Sequence, residues 1–186
     1  MSWKLAPKLP QMNTKLTRIV FRKIFRLSGW SVKGEVPNEA KMVVAFAPHN
    51  TNWDFPIAIS LVFGLGLKIR FLAKHTLFTP LTGWAFRGLG GIPVNRTSSH
   101  GLVGDITDTF NRSDKMILVV TPEGTRSQVS QWKKGFLHIA KAADVPVLLV
   151  TINYRKKVIS IGKTYAVQDI DKSLSVIQQD AYSCAS

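Results

Sequence analysis

Five short apolar runs, most of them rich in β-branched residues, recur through the chain: MVVAFA (42–47), IRFLA (69–73), GIPV (91–94), MILVVT (116–121) and VPVLLVTINY (145–154). The stretches between them carry a helical period instead. These run from Trp53 to about Gly66, around Leu77 to Leu89, along one face marked by Leu102, Val103, Ile106 and Phe110, and from Phe136 to Ala143. KVISIG (157–162) reads as an antiparallel edge partner of the last run. Strands that alternate with helices predict an α/β fold, a single domain whose mostly parallel central sheet is flanked by helices. A length of 186 residues with 45% hydrophobic content is enough for one such core. There is no internal repeat, low-complexity tract or interdomain linker.

In open α/β sheets, ligands bind beyond the carboxyl ends of the strands. The residues there are Pro48 and His49 after the first run, Lys74 and His75 after the second, Asn95 and Arg96 after the third, and PEGTRS (122–127) after the fourth. A base, several cations and a Glu-Gly-Thr-Arg turn on one rim predict a pocket for an anionic substrate. His49 stands five positions ahead of Asp54. Residues five apart lie about 140° from each other around a helix, so the two cannot touch from within one helix. His49 is therefore expected in the loop and Asp54 in the first helical turn, where the dipole favours a carboxylate and Asn50, Thr51 or Asn52 can cap.

The formal charge is +14, from 25 Lys and Arg against 11 Asp and Glu, which implies an anionic partner. Between Met1 and Lys33 there are eight basic residues and no acidic one. Within TKLTRIVFRKIFRLSGW (14–30), Lys15, Arg18, Arg22 and Arg26 recur at helical intervals, as do Leu16, Ile19, Val20, Ile24 and Leu27, with Phe21 and Phe25 one turn apart. Such an amphipathic helix either lies in the headgroup layer of an anionic bilayer, touching it through Lys15, Arg18, Phe21, Arg22, Phe25 and Arg26, or packs its apolar side on the domain. The expected organisation is residues 1–34 as a membrane-association segment, 35–168 as the α/β domain and 169–186 as a C-terminal tail. Removal of the first 30 residues is expected to leave the domain folded.

The longest mostly apolar run, Phe55 to Leu67, has 13 residues where roughly 20 are needed to span a bilayer. The N-terminus lacks the compact apolar core of a secretory signal. With a single cysteine, Cys184, the chain has no disulfide framework and fits a reducing compartment. The expected location is the cytoplasmic face of a membrane, with peripheral or monotopic association. His75, His100 and His138 fit no metal spacing, so no metal is expected. Trp30, Trp53, Trp84 and Trp132 sit in or beside apolar segments and not along a basic stripe, which argues against nucleic acid. Lys133, Lys134 and Gly135 open a helix without a phosphate-loop pattern; they read either as a basic rim or as a solvated helix start.

HNTNWD (49–54) resembles the H-x4-D block of the glycerolipid and lysophospholipid acyltransferases, the family of 1-acylglycerol-3-phosphate acyltransferases. GIPVNR (91–96) is similar to the second block of that family, PEGTRS to the third and VPVLLV (145–150) to the fourth, in the same order. The resemblance implies acyl transfer from acyl-CoA or acyl-carrier protein, as co-substrate and not as a bound cofactor, to a hydroxyl of a glycerolipid-like acceptor, lysophosphatidate by default. His49 would act as general base and Asp54 would orient it, with no covalent intermediate. It also implies that Lys74, Arg96, Glu123, Gly124, Thr125 and Arg126 bind the acceptor. Other readings remain: the same chemistry on a non-phosphatidate lyso-lipid, or a non-catalytic basic protein that docks on membranes or nucleic acid.

Overall fold

The structure, a computed structural model, describes residues 6–12, 14–49, 51–94, 101–124, 129 and 131–185. The elements are α1 (Lys15–Leu27), β1 (Ser31–Lys33), β2 (Lys41–Ala47), α2 (Asp54–Leu65), β3 (Arg70–Lys74), a 3₁₀ turn (His75–Leu77), α3 (Gly83–Gly88), β4 (Gly91–Val94), α4 (Leu102–Asn111), β5 (Met116–Val120), α5 (Gly135–Ala142), β6 (Val147–Asn153), β7 (Val158–Tyr165) and α6 (Ile170–Ala185). The seven strands form one sheet in the order β1-β7-β6-β2-β5-β3-β4. Strand β2 lies at its centre, parallel to β5 on one side and β6 on the other. Its near-continuous burial is what a central parallel strand covered on both faces requires. The expected α/β domain is therefore observed.

Two differences concern the sheet edge and the chain end. KVISIG is antiparallel to β6 as expected, but it is not an edge, because the three-residue β1 pairs parallel with it outside. The stretch after Gln168, read as a tail, is helix α6, with Leu174, Ile177 and Ala181 buried at one-turn spacings. The helix expected from Leu77 to Leu89 is a 3₁₀ turn and then the short α3. Pro80 lies between them and disfavours helix for the residue before it.

The sheet divides the interior into two layers. One is built with α4, α5 and α6, around Phe110, Phe136 and Ile177. The other is built with α1 and α2, around Phe25, Ile59 and Leu65, and Phe86 of α3 packs against it. Helix α2 is apolar nearly all round, as befits a helix enclosed between the sheet and another helix. It ends at Gly66, whose φ of 81° is the left-handed cap a Cβ disfavours.

Helix α1 crosses α2 with an unexpected face inward. Phe25 is 2% exposed and belongs to the core, which corrects its reading as a lipid contact. Phe21 meets Phe63 of α2 edge-on at 5.0 Å between ring centroids. Arg22 Nε donates to the Gly64 carbonyl at 2.7 Å, and the Arg18 side chain runs against Gly66. Both guanidinium groups thus sit at the C-terminal end of α2, where its last carbonyls need donors and its dipole favours cations. Burial and the neighbouring Arg18 and Arg26 push the Arg22 group below its usual range. Lys15 and Arg26 are exposed, and so are Leu16, Ile19, Val20, Ile24 and Leu27. The aliphatic stripe of α1, not its phenylalanines, faces away from the protein. Arg22→Met is expected to cost about 1–2 kcal/mol. The check is a lower denaturant midpoint at unchanged slope.

Candidate active site

The carboxyl ends of β2, β5, β6 and β3 share one rim, and His49, Asp54, Lys74, Glu123 and Gly124 lie there. The chain leaves β2 through a cis Ala47–Pro48 bond and reaches His49. Asp54 opens α2, as the spacing required. Its Oδ2 accepts the Thr51 N–H at 3.0 Å, and the Thr51 hydroxyl accepts the Trp53 N–H at 3.1 Å, which folds residues 51–54 into a tight turn. The N-cap of α2 is Trp53, with no side-chain cap hydrogen bond, so Thr51 organises the turn ahead of the helix instead of capping it as expected.

His49 Nδ1 lies 2.8 Å from Asp54 Oδ2. The contact is short, but the Nδ1–H is imperfectly aligned with the oxygen. Asp54 is 1% exposed. Burial disfavours its charge, but hydrogen bonds from His49, Tyr154 and the Thr51 amide outweigh this and hold the carboxyl below its usual range. An ionised carboxylate on Nδ1 selects the tautomer in which Nε2 carries no proton, so that nitrogen can accept one.

Glu123 follows β5 in the Pro-Glu-Gly turn and is 4% exposed. Its Oε2 accepts the backbone N–H of His49 at 2.7 Å. The group expected to meet the acceptor is thus in contact with the loop that carries the imidazole. Burial pushes its carboxyl above the usual range, against the His49 amide bond that favours the charge. Gly124 has φ 64°, which favours glycine, and its N–H donates to the Thr121 carbonyl at 3.0 Å. That amide is therefore committed to the turn. The Lys133 side chain lies against Gly124, and the Lys133 N–H donates to Pro122 at 2.8 Å. Of the two readings of the Lys133–Gly135 stretch, Lys133 fits the rim, whereas Lys134 pairs with Asp171 of α6 at 2.5 Å. Lys74 ends β3 at the same rim. Arg96, Thr125 and Arg126, also assigned to the acceptor, lie outside the described residues, as does Asn50.

Tyr154 was not anticipated. It follows β6, and its hydroxyl donates to Asp54 Oδ1. The apolar run that marked this strand includes Tyr154 itself, so a search beyond its end passes the residue over, whereas β6 ends at Asn153.

Below the rim, a cavity of about 680 Å³ runs between α2 and the sheet. His49, Asn52, Lys74 and Gly124 line its mouth; Phe55, Ile59 and Val62 of α2 face Phe46, Val119 and Val150 of the sheet; Met42 and Ile161 lie at the far end. An imidazole held by a carboxylate, beside cations and above a long apolar cavity, is equipped to deprotonate the polar end of an amphiphile. Among the described residues, no group of three His, Cys, Asp or Glu comes together to hold a metal ion.

The family model described as Acyltransferase matches residues 30–153, and the chain belongs to that family. The chain is similar to the 1-acyl-sn-glycerol-3-phosphate acyltransferase of Escherichia coli (strain K12), with 25% identity over 155 residues, covering 78% of this chain and 62% of that one. It is also similar to the enzyme of the same name from Streptococcus pneumoniae (strain ATCC BAA-255 / R6), with 31% identity over 133 residues, covering 66% and 48%. The chain thus spans about half to three-fifths of the length of these relatives. Among solved structures, the 1-acyl-sn-glycerophosphate (LPA) acyltransferase PlsC from Thermotoga maritima shares the fold, with a TM-score of 0.67 at 21% identity, covering 92% of this chain and 77% of that one.

Proposed function

We propose that this protein transfers a fatty acyl group from acyl-CoA or acyl-carrier protein to the hydroxyl of a lysophospholipid, with lysophosphatidate the first candidate acceptor. The observation that carries the reading is the His49–Asp54 pair, 2.8 Å apart, at the mouth of an apolar cavity. His49 Nε2 removes the proton of the acceptor hydroxyl as its oxygen attacks the thioester carbonyl; the tetrahedral intermediate collapses, the new ester forms and the thiol leaves with a proton. The acceptor attacks directly, so no acyl-enzyme is required. Lys74 and Lys133 supply positive charge for a phosphate at the mouth.

The cavity accounts for the acyl chain. Its walls follow β2 from the rim down to Met42, on the order of 15–20 Å at the usual rise per strand residue. An extended chain advances about 1.2 Å per bond, because the three backbone bonds of a residue span about 3.3–3.6 Å. Roughly 12 to 16 carbons fit. The test is release of free thiol from acyl-CoA and from acyl-carrier protein as lysophosphatidate, other lyso-lipids and monoacylglycerol are added one at a time. Acceptor-dependent release identifies the substrate, and the absence of release from either donor with any of them would refute the reading.

Membrane association is part of this proposal. Among the described residues, no helix is long and apolar enough to cross a bilayer. The layer of α1, α2 and α3 nevertheless exposes Leu16, Leu27, Trp53, Leu81 and Trp84. No acidic residue occurs before Glu35 or between Phe55 and Gly104, whereas Asp105, Asp108, Asp114, Asp144, Asp169, Asp171 and Asp180 all belong to the opposite layer or its turns. One side of the molecule is thus cationic and greasy, which suits an anionic bilayer surface. Leu9, Phe25 and Trp30 are buried, so deleting residues 1–30 would open the core, contrary to the expectation from sequence. Point substitutions are the better probe. Leu27→Glu with Trp84→Glu is expected to weaken sedimentation with phosphatidylglycerol vesicles about tenfold or more, from lost apolar insertion. Lysine contributions of about 1 kcal/mol each make the remaining binding fall with salt. Undiminished binding of the double variant would refute this docking face.

A further inference from the structure

The two oxygens of Asp54 have different partners. Oδ2 takes His49 Nδ1 at 2.8 Å and the Thr51 N–H at 3.0 Å. Oδ1 accepts the Tyr154 O–H and, at 3.3 Å, the Thr51 O–H. The Tyr154 oxygen is also 2.8 Å from the Thr51 hydroxyl, so the tyrosine bridges the first turn of α2 and the end of β6. The pairing of Ala47 with Thr151 brings the two chains to the same rim, where β6 runs two residues further to Asn153 before Tyr154 follows. The tyrosine ring is itself fixed. Trp30, buried between α1 and β1, meets it edge-on at 5.2 Å and 90°.

An aspartate in a first helical turn has a soft terminal torsion with two nearly equivalent oxygens. Without the tyrosine, Oδ1 would keep only the long bond from the Thr51 hydroxyl at 3.3 Å and could compete for Nδ1. The Tyr154 O–H on Oδ1 removes that competition. We propose that Tyr154 is a positioning residue of the acyl-transfer site, whose hydroxyl fixes the Asp54 carboxylate and through it the orientation of the His49 imidazole. Burial, then the bond to Asp54, pushes the phenol up to about 12, so it remains a donor at neutral pH. The residue lies beyond the four sequence blocks that mark the family, and just past the last residue matched by the family model.

The assignment rests on the acyl-transfer reading, and its test separates the two. Tyr154→Phe in the full chain removes one oxygen and keeps the ring against Trp30. Its turnover number is expected to fall about ten- to thirtyfold, within the range for an impaired general base, with KM for thioester and acceptor unchanged within about twofold. The acid limb of its kcat/KM profile should move to higher pH, since a carboxylate that has lost a donor holds a proton on its imidazole partner more strongly. The other groups that face this imidazole or its loop are Asp54 on α2, Glu123 after β5, Lys74 at the end of β3 and Lys133 beside Gly124. All are common to both proteins, so a displaced limb reports the missing hydroxyl. Trp30→Phe, which keeps the hydroxyl but loosens the ring, should give a smaller fall with the same signature and decides the matter if the first variant does not fold.

A fall in turnover with unchanged KM and a displaced limb supports the proposal. Superposable profiles at undiminished turnover overturn it. A raised KM at unchanged turnover overturns it in favour of substrate contact, and a fall matched by loss of folded protein with an undisplaced limb overturns it in favour of a purely structural role. The ring nitrogen resonances of His49 give a readout that needs no turnover. If they change in Tyr154→Phe while the wild type acylates none of the acceptors, acyl transfer fails and the positioning stands. If they do not change in an active enzyme, the positioning alone fails.

Discussion

His49→Ala is expected to reduce acceptor-dependent thiol release about 10³-fold, within the range general-base catalysis contributes, while the protein stays folded. The stability expectation follows from the surroundings of the side chain. His49 lies in a loop and is partly exposed, and the contact that anchors the loop, from its backbone N–H to Glu123, does not involve the imidazole. Alanine therefore removes the base and leaves its support. The thioester and the acceptor still bind, because the cavity and the rim cations are untouched, so the loss falls on kcat and not on KM. Parallel rate measurements and thermal melts check both halves of this expectation.

Asp54→Asn should be nearly as costly for turnover, about 10³-fold or more, because an amide nitrogen turned toward Nδ1 makes that atom an acceptor and places the ring proton on Nε2, the wrong tautomer for a base. It should also alter stability against acid. Asp54 has a depressed native carboxyl, so its contribution is present above the ordinary carboxylate range and is lost as pH falls through the depressed native value. Glu123 has the opposite sign. Its native carboxyl is raised, so its contribution is present at low pH and fades as pH rises through the raised value. Acid-unfolding curves of Asp54→Asn should therefore lose a component of the destabilisation below the ordinary carboxylate range. An unchanged acid limb of stability would show that His49, Tyr154 and Thr51 contribute nothing to holding the charge.

The parts of the fold that local pattern governs were legible. Strands β2, β5 and β6 are runs of five to seven residues, β-branched and buried, and they fall within or close to the predicted spans. Strand β1 was not legible, since Ser-Val-Lys has no run and exists through its pairing with β7. Helix α1 offers two apolar stripes, and periodicity cannot say which is inside. The edge-on fit of Phe21 to Phe63, and the burial of Phe25, put the phenylalanines in and the aliphatic residues out. In α6 the spacing of Ile170, Leu174, Ile177 and Ala181 carried the signal, masked by the polar residues between them.

The site follows the same division. The geometry of His49 and Asp54 could be derived from a five-residue spacing. The contact of Glu123 with the His49 amide joins positions 74 residues apart, and that of Tyr154 with Asp54 joins positions 100 apart. No local pattern encodes either of them. Both arise because β5 and β6 flank β2, each parallel to it, and deliver their following residues to the same rim.

The most direct measurement is mass spectrometry of the lipid formed from acyl-CoA and lysophosphatidate by the wild type and by His49→Ala. The account predicts a diacylated product from the wild type, almost none from the variant, and no acylated protein in either. Equal product from both proteins, or an acyl group found on the protein itself, would contradict it.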